Sequence, residues 1–388
     1  MSVLLILKST VPMLLRKMGR PFKVPVAKQK EFLSSFPEPK NNMERTYYQY
    51  KCQILFWGKW FHVCASVVAF FLLPIQMLII LLKRNTVIRE SVDLLLLSED
   101  MPNNIYPEEL LCNFTNRKSC SFLDGYSLTH EDWRYFIDLA KMYPFSPYFL
   151  YKCLVKMAMY SYQINKNNPK VIATCGGEFT YTSSLLTDFC KRHKVKHFNT
   201  MHGEMFYYIL DSFCNFHKFY VWDAHYKELL VDLRATADEF IIAPPKSVII
   251  DLEKIDVDGL KIYDFKYYLQ LQYGEHMKQV AEALNKLKAK GFSVCVRYHP
   301  RTPNVSAIYK AFNAIEIENP KQISIEQSIK TTKSVIALNS TVLFQAYMSG
   351  VSVVIDDITN VNKYTLLGEM QYVMLSKKHR LLSQCIEE

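Results

Sequence analysis

Glycine is scarce in this chain, at 11 of 388 residues, and proline adds only 16. So little of either excludes wholesale disorder. No Gly-x-x-x-x-Gly-Lys-Ser/Thr loop occurs, which argues against a P-loop kinase or ATPase. None of the ten cysteines belongs to a Cys-x-x-Cys pair, so no metal site is expected. Several cysteines fall inside apolar runs, where a free thiol acts as a small hydrophobe. That usage reads as a reducing, cytoplasmic compartment. Zinc-finger spacing, RNP-like runs and dense arginine tracts are also missing, so nucleic acid is not an expected partner. No small-residue cleavage site follows the short apolar run at residues 3–7, and a secretory signal fits poorly. There is no repeat of solenoid period.

What is present, 388 residues, exceeds one typical domain and suits two of ordinary size. Apolar residues make up 49%, with 25 Tyr and 24 Phe, and the formal net charge is +10. A basic surface suits anionic substrates or anionic lipid. Basic residues follow the first apolar run: Lys8, Arg16, Lys17, Arg20 and Lys23. Pro37, Pro39, Asn41 and Asn42 mark a loop. Residues 61–82 form the most apolar stretch and carry no formal charge. Trp57, Lys59 and Trp60 precede it, and Lys83 and Arg84 follow it. The length fits a membrane span and the tryptophans fit an interface. A helix embedded in one leaflet and kinked at Pro74, or a buried core helix, fits as well. The expectation is an N-terminal region, 1–90, that is membrane-associated, monotopic ahead of single-span.

From residue 91 the pattern becomes strand, polar break, helix, strand, as in a parallel α/β sheet. Residues 92–97 read as a buried strand ending in a polar loop at 98–102. Helices are expected over about 131–141 and 148–164. A strand at 170–174 ends in Cys175-Gly176-Gly177-Glu178. After a helix over 183–193, a strand at 195–199 ends in Thr200-Met201-His202-Gly203-Glu204, and another at 218–222 ends in Asp223-Ala-His225. Glycines at a strand end let backbone approach a ligand. Ionisable groups at adjacent strand ends are what acid/base chemistry requires. The candidate bases are Glu178, then His202, then Glu204. Plainer roles stay open: Glu178 as a favourable charge before a helix, His202 as a loop hydrogen bonder.

Ala243-Pro244-Pro245 is a stiff break, and the domain boundary is placed there: 91–243 and 244–388. The second half repeats the logic. A strand at 265–270 and an amphipathic helix over 275–290, with Met277, Val280, Ala281 and Leu284 in one stripe, lead to Gly291 as a cap. A strand at 292–298 breaks at His299-Pro300-Arg301. Another at 334–338 breaks at Asn339-Ser340-Thr341, followed by a helix over 342–348 and a strand at 351–355. Ligands bind at the carboxyl ends of such strands. Ser340 and Thr341 would sit at a helix start, where free N–H groups and the dipole favour phosphate. His299 and Arg301 would add cationic or donor groups from the neighbouring strand end. A strand-end His and an ordinary N-cap are the plainer alternatives.

At these residues the chain resembles bacterial capsular and exopolysaccharide glycosyltransferases of the GT-B type. His299-Pro300 after a strand, then Ser340-Thr341 at a strand-to-helix turn, is similar to the signature shared by the bacterial sialyltransferases and the capsule Kdo transferases. The run from Met201-His-Gly-Glu204 to the Tyr-Val-Trp strand at 220–222 resembles capsule biosynthesis proteins as well. The likeness covers about residues 92–357 by motif order. Asp256-Val-Asp258-Gly259 departs from the acidic-acidic-Gly motif of the sialyltransferases, and that role is not carried over. The resemblance implies two Rossmann-like domains with parallel sheets facing a crevice. It implies no cofactor but a nucleotide-sugar donor, possibly CMP-linked, its phosphate held by His299, Pro300, Arg301, Asn339, Ser340 and Thr341. The acceptor would be a glycan or lipid-linked glycan at the cytoplasmic face of the cell membrane. Two alternatives remain: a polyol-phosphate transferase of teichoic-acid-like synthesis, and a non-catalytic, membrane-bound assembly factor.

Overall fold

The computed structural model describes residues 24–82, 89–97, 103–270 and 276–388. The apolar run at 3–7 with its basic residues to Lys23, then Lys83, Arg84, the 98–102 loop and Glu275, lie outside the described residues.

Four consecutive leucines, all buried, form β1 (Leu94–Leu97). A strand with no polar face must be covered on both sides, and β1 is central in a parallel sheet. That sheet has the order β2-β1-β3-β4-β5-β6, with β2 (Arg117–Cys120), β3 (Val171–Cys175), β4 (Lys196–Thr200), β5 (Lys218–Val221) and β6 (Phe240–Ile242). The strand order reverses between β1 and β3. The chain enters through α1 (Val26–Ser34), α2 (Asn42–Trp57) and α3 (Lys59–Leu82). Two helices follow β2, α5 (His130–Met142) and α6 (Pro147–Asn167), after the single-turn α4 (Glu108–Leu111). α5 starts at a reciprocal capping box: Thr129 accepts from the Asp132 N–H, and the Asp132 carboxylate accepts from the Thr129 N–H. Aspartate serves here in place of the usual Glu or Gln. α6 begins with Pro147 and stops at Asn168, which is left-handed at φ 39°. α7 (Ser183–Arg192) links β3 to β4, and α8 (Ala224–Asp232) follows β5.

The second sheet has the order β12-β11-β10-β7-β8-β9, again parallel. Its strands are β7 (Tyr263–Tyr268), β8 (Val294–Arg297), β9 (Glu316–Glu318), β10 (Thr332–Ala337), β11 (Ser352–Ile355) and β12 (Arg380–Leu381). The order reverses between β7 and β10, the Rossmann arrangement. The connecting helices are α9 (Met277–Ala289), α10 (Val305–Ala311), α11 (Ile325–Lys330), α12 (Thr341–Met348) and α13 (Val361–Glu369), with α14 (Leu382–Glu387) last. The core of this unit holds a fully hydrogen-bonded ionic group. Lys266 donates to Glu318 at 2.6 Å and to Ser328 and Thr331, and Arg297 donates to the same carboxylate. Buried charges persist only when paired this way.

The chain thus divides into two compact units. The first runs to His202 and resumes over Tyr207–Pro244; the second comprises Gly203–Phe206 and Pro245–Glu388. Each carries a six-stranded parallel sheet with helices, so the architecture is GT-B-like in having two Rossmann-like units.

Candidate active site

In the first unit β3 flanks the point where the strand order reverses, and its carboxyl end carries the most organised polar cluster. After Cys175 the chain turns through Gly176, left-handed at φ 68°, into a 3-10 turn over Gly177–Phe179. A Cβ on Gly176 would lie 2.8 Å from Nδ1 of His202, and one on Gly177 would lie 3.0 Å from the Asn199 amide oxygen. The sequence suggested that these glycines admit a ligand. Instead they admit the His202 ring and the Asn199 side chain.

Those two side chains, from the end of adjacent β4, grip Glu178. The Asn199 amide donates to Oε2 of Glu178 at 2.8 Å, and Nδ1 of His202 lies 3.4 Å from Oε1. Asn199 is itself fixed, its amide oxygen accepting from the Gly177 N–H and the Thr174 hydroxyl. The two partners differ in access. Glu178 is 1% exposed, whereas the His202 side chain is 39% exposed. The hydrogen bond to Glu178 raises the His202 pKa above its ordinary value, against the opposing effect of burial.

Two further residues complete the cluster. Gln49 of α2 donates from one amide nitrogen to the carbonyls of Glu178 and Leu210, both at 2.6 Å. Asp211, on a 3-10 turn over Ile209–Asp211, is buried. Burial, then the Glu178 charge, pushes its carboxyl well above the usual range. Neither residue follows from strand-end reasoning. The apolar neighbours of Asp211, Ile209, Leu210 and Phe213, were the available signal.

Glu204 is not part of this cluster, since it belongs to the second unit. Burial pushes its carboxyl up to about 8, opposed by a hydrogen bond with Tyr372. The Tyr372 hydroxyl also accepts from the Ser340 N–H at 3.3 Å. The shared tyrosine ties Glu204 to the start of α12.

In the second unit Ser340 caps α12, its hydroxyl accepting from the Val342 N–H at 3.4 Å, and Thr341 is the first helical residue. His299 follows β8. The sequence suggested that these sit on neighbouring strand ends, but β7 runs between β8 and β10. The two ends are therefore about 10 Å apart across the sheet. Between them, past the end of β7, is Gln270, whose amide donates to both the main-chain and side-chain oxygens of Asn339. Its own oxygen accepts from Lys363 at 2.9 Å. Burial lowers the Lys363 pKa. Gln270 and Lys363 were missed because their place depends on which strands pair. Nδ1 of His299 accepts from the Arg301 N–H at 3.1 Å. Burial and then Arg301 lower the His299 pKa. The ring is therefore neutral, with its proton on Nε2, and acts as a donor rather than a cation. Arg301 and Pro300 are exposed. Asp223 caps α8, accepting from the His225 N–H. Among the described residues no group of three or more His, Cys, Asp or Glu is placed to hold a metal ion.

No protein-family model and no curated protein matches the sequence. Solved structures similar to it share low identity. One is a glycosyltransferase from Rickettsia africae: 12% identity, 70% of this chain and 80% of that one, TM-score 0.44. Another is the lipopolysaccharide outer core galactosyltransferase WaaB: 9% identity, 77% and 94% covered, TM-score 0.42. A third is the UDP-GlcNAc 2-epimerase of Neisseria meningitidis, bound to UDP-GlcNAc: 11% identity, 69% and 82% covered, TM-score 0.43. The sheet topology, not these likenesses, assigns the architecture.

Proposed function

We propose that this chain is a glycosyltransferase of surface-polysaccharide synthesis. It moves a sugar from a nucleotide sugar, CMP-linked, to a glycan or lipid-linked acceptor at the cytoplasmic face of the membrane. The observation that carries the reading is the dyad of buried Glu178 and accessible His202. Glu178 is too enclosed to meet an acceptor. Held by Asn199, it orients His202 with Nδ1–H toward the carboxylate and leaves Nε2 to take the proton of the acceptor hydroxyl. The freed oxygen attacks the anomeric carbon as the bond to the donor phosphate breaks. His202 thus moves ahead of Glu178 as the base.

The first unit binds the acceptor and the second binds the nucleotide. Charge developing on the leaving phosphate meets the N–H groups that open α12 at Ser340 and Thr341, with Asn339 behind them. His299 adds its Nε2–H, next to Pro300, while Arg301 and Lys363 add positive charge.

Thermal unfolding with CMP, CDP, UDP, GDP and ADP tests this reading. Ligand at about 100 times its dissociation constant should add roughly 2.7 kcal/mol. CMP should shift the transition, and His299→Ala should abolish the shift while leaving the unliganded midpoint unchanged. A shift by UDP or GDP alone would replace the CMP donor. No shift from any nucleotide, with the protein folded, would overturn the transferase in favour of a non-catalytic assembly factor.

A further inference from the structure

The 24-residue helix α3 is long and apolar enough to cross a membrane. Its surroundings determine how it can meet one. Immediately before it, α2 is bonded into the first unit. Thr46 accepts from the Leu185 N–H at 2.9 Å, Gln49 holds the Glu178 and Leu210 carbonyls, and Arg45 donates to the Arg234 carbonyl at 2.7 Å. Beyond it, β1 pairs with β2 and β3 of the same unit. A crossing helix would put α2 and β1 on opposite sides of a bilayer and break these bonds. α3 is also docked near both its ends. The His62 ring packs on Tyr50 and Tyr148, at 5.3 and 5.9 Å between centroids. Ile80 joins the core cluster of Leu95, Leu97 and Leu154. His62, Ala69, Gln76 and Ile80 make one buried stripe.

The other face is apolar over about 36 Å of helix and, among the described residues, exposed. Phe70 and Phe71 are 64% exposed and Trp60 82%, joined by Val67, Leu78 and Leu82. No Asp, Glu, Lys or Arg occurs from Trp60 to Leu82, whereas Lys59 precedes the stretch and Lys83 and Arg84 follow it. A protein partner's interface would have a polar, hydrogen-bonding rim along this face. A face with no charge along it, cations at both ends and Trp at one end matches the acyl–headgroup boundary. The net charge of +10 favours anionic lipid.

We propose that α3 lies in the plane of one leaflet, its Phe70–Phe71 face in lipid and its His62–Gln76 face on the first unit, so that it anchors the protein without crossing. This seat is independent of the transferase reading. Vesicle binding measures it without donor or acceptor, and failure of either leaves the other standing.

The test is flotation of the full chain with phosphatidylcholine vesicles, with and without 30% phosphatidylglycerol. The protein should float, more so with anionic lipid. Phe70→Glu/Phe71→Glu should lower the bound fraction at least tenfold, with its thermal midpoint and nucleotide response unchanged. Equal flotation of the variant overturns the proposal. So does a wild type that stays unbound and forms a dimer the variant abolishes, which would assign the face to a second copy. A protease-cleavable tag after Pro39 and another at the C terminus separate seat from span. In inverted membrane vesicles both should be cleaved. Protection of the Pro39 tag would overturn the in-plane arrangement.

Discussion

At the scale of single residues, the site depends on backbone that only glycine accepts. Gly176 is left-handed, and a Cβ there would collide with the ring of His202. The conformation alone costs about 1–2 kcal/mol for another residue. Gly176→Ala should lose at least that much in urea unfolding, and the ring's displacement should cost activity beyond the stability loss. An alanine variant as stable and active as the parent would refute this account of the turn. Glu178 gives a sharper test, because it is argued to act through His202. The carboxylate raises the His202 pKa, and a base works only above its own pKa. In Glu178→Gln that support is gone, so the acid limb of the pH–rate profile should move to lower pH. The plateau rate should also fall by roughly 10²–10⁴. A fall in rate with the limb unmoved would make Glu178 merely structural. Glu178 and His202 were legible in sequence because each follows a strand run directly. Gln49 was not, since it lies 129 residues from Glu178 and meets it only through the packing of α2.

At the scale of elements, helices with a clear apolar period and a chemical stop were legible, as α5, α6 and α9 show. The short strands β2, β6, β9 and β12, of two to four residues, carry too few side chains for a period to register. The pairing of strands was legible only where chain order and sheet order agree. β3 and β4 are neighbours in both, so the Glu178–His202 meeting followed. β8 and β10 are not, because the chain reverses direction in the second sheet after β9, and Gln270 and Lys363 stayed hidden. α2 is the element whose role the sequence concealed most. It carries Gln49 to two carbonyls, one on each loop of the first-unit cluster, and then passes through Gly58 into α3. Gln49→Leu leaves both buried carbonyls without that donor, at about 1–3 kcal/mol each. It should destabilise the first unit by a few kcal/mol and lower turnover, with nucleotide binding retained. Loss of nucleotide binding in a folded Gln49→Leu protein would contradict the separate roles given to the two units.

At the scale of the whole molecule, the balance of buried acids and bases sets a pH dependence. Burial pushes Glu204 and Glu239 up to about 8, and raises Asp211 well above its usual range. Each binds a proton more tightly folded than unfolded. The contribution of Glu204 and Glu239 is therefore complete below about pH 4.5 and is lost as pH rises to 8, and that of Asp211 is likewise lost as pH rises. His197 opposes this. Enclosed by Tyr160 and Thr187, it is pushed down to about 3 by burial. It stabilises fully above about pH 6.5 and loses that as pH falls. Between about pH 4.5 and 6.5 His197 offsets only part of the carboxyl effect, and above about 6.5 it offsets none of it. The unfolding free energy from urea titration should therefore be lower at pH 8.5 than at pH 6, by roughly 2–3 kcal/mol for each of Glu204 and Glu239. Glu239→Gln isolates one contribution. The amide oxygen can still accept from the Phe216 N–H, as the carboxyl does now, but it has no proton to lose. The variant should gain stability at pH 8.5 and little at pH 5. A gain of equal size at both pH values would show that the parent carboxyl is not held neutral by burial.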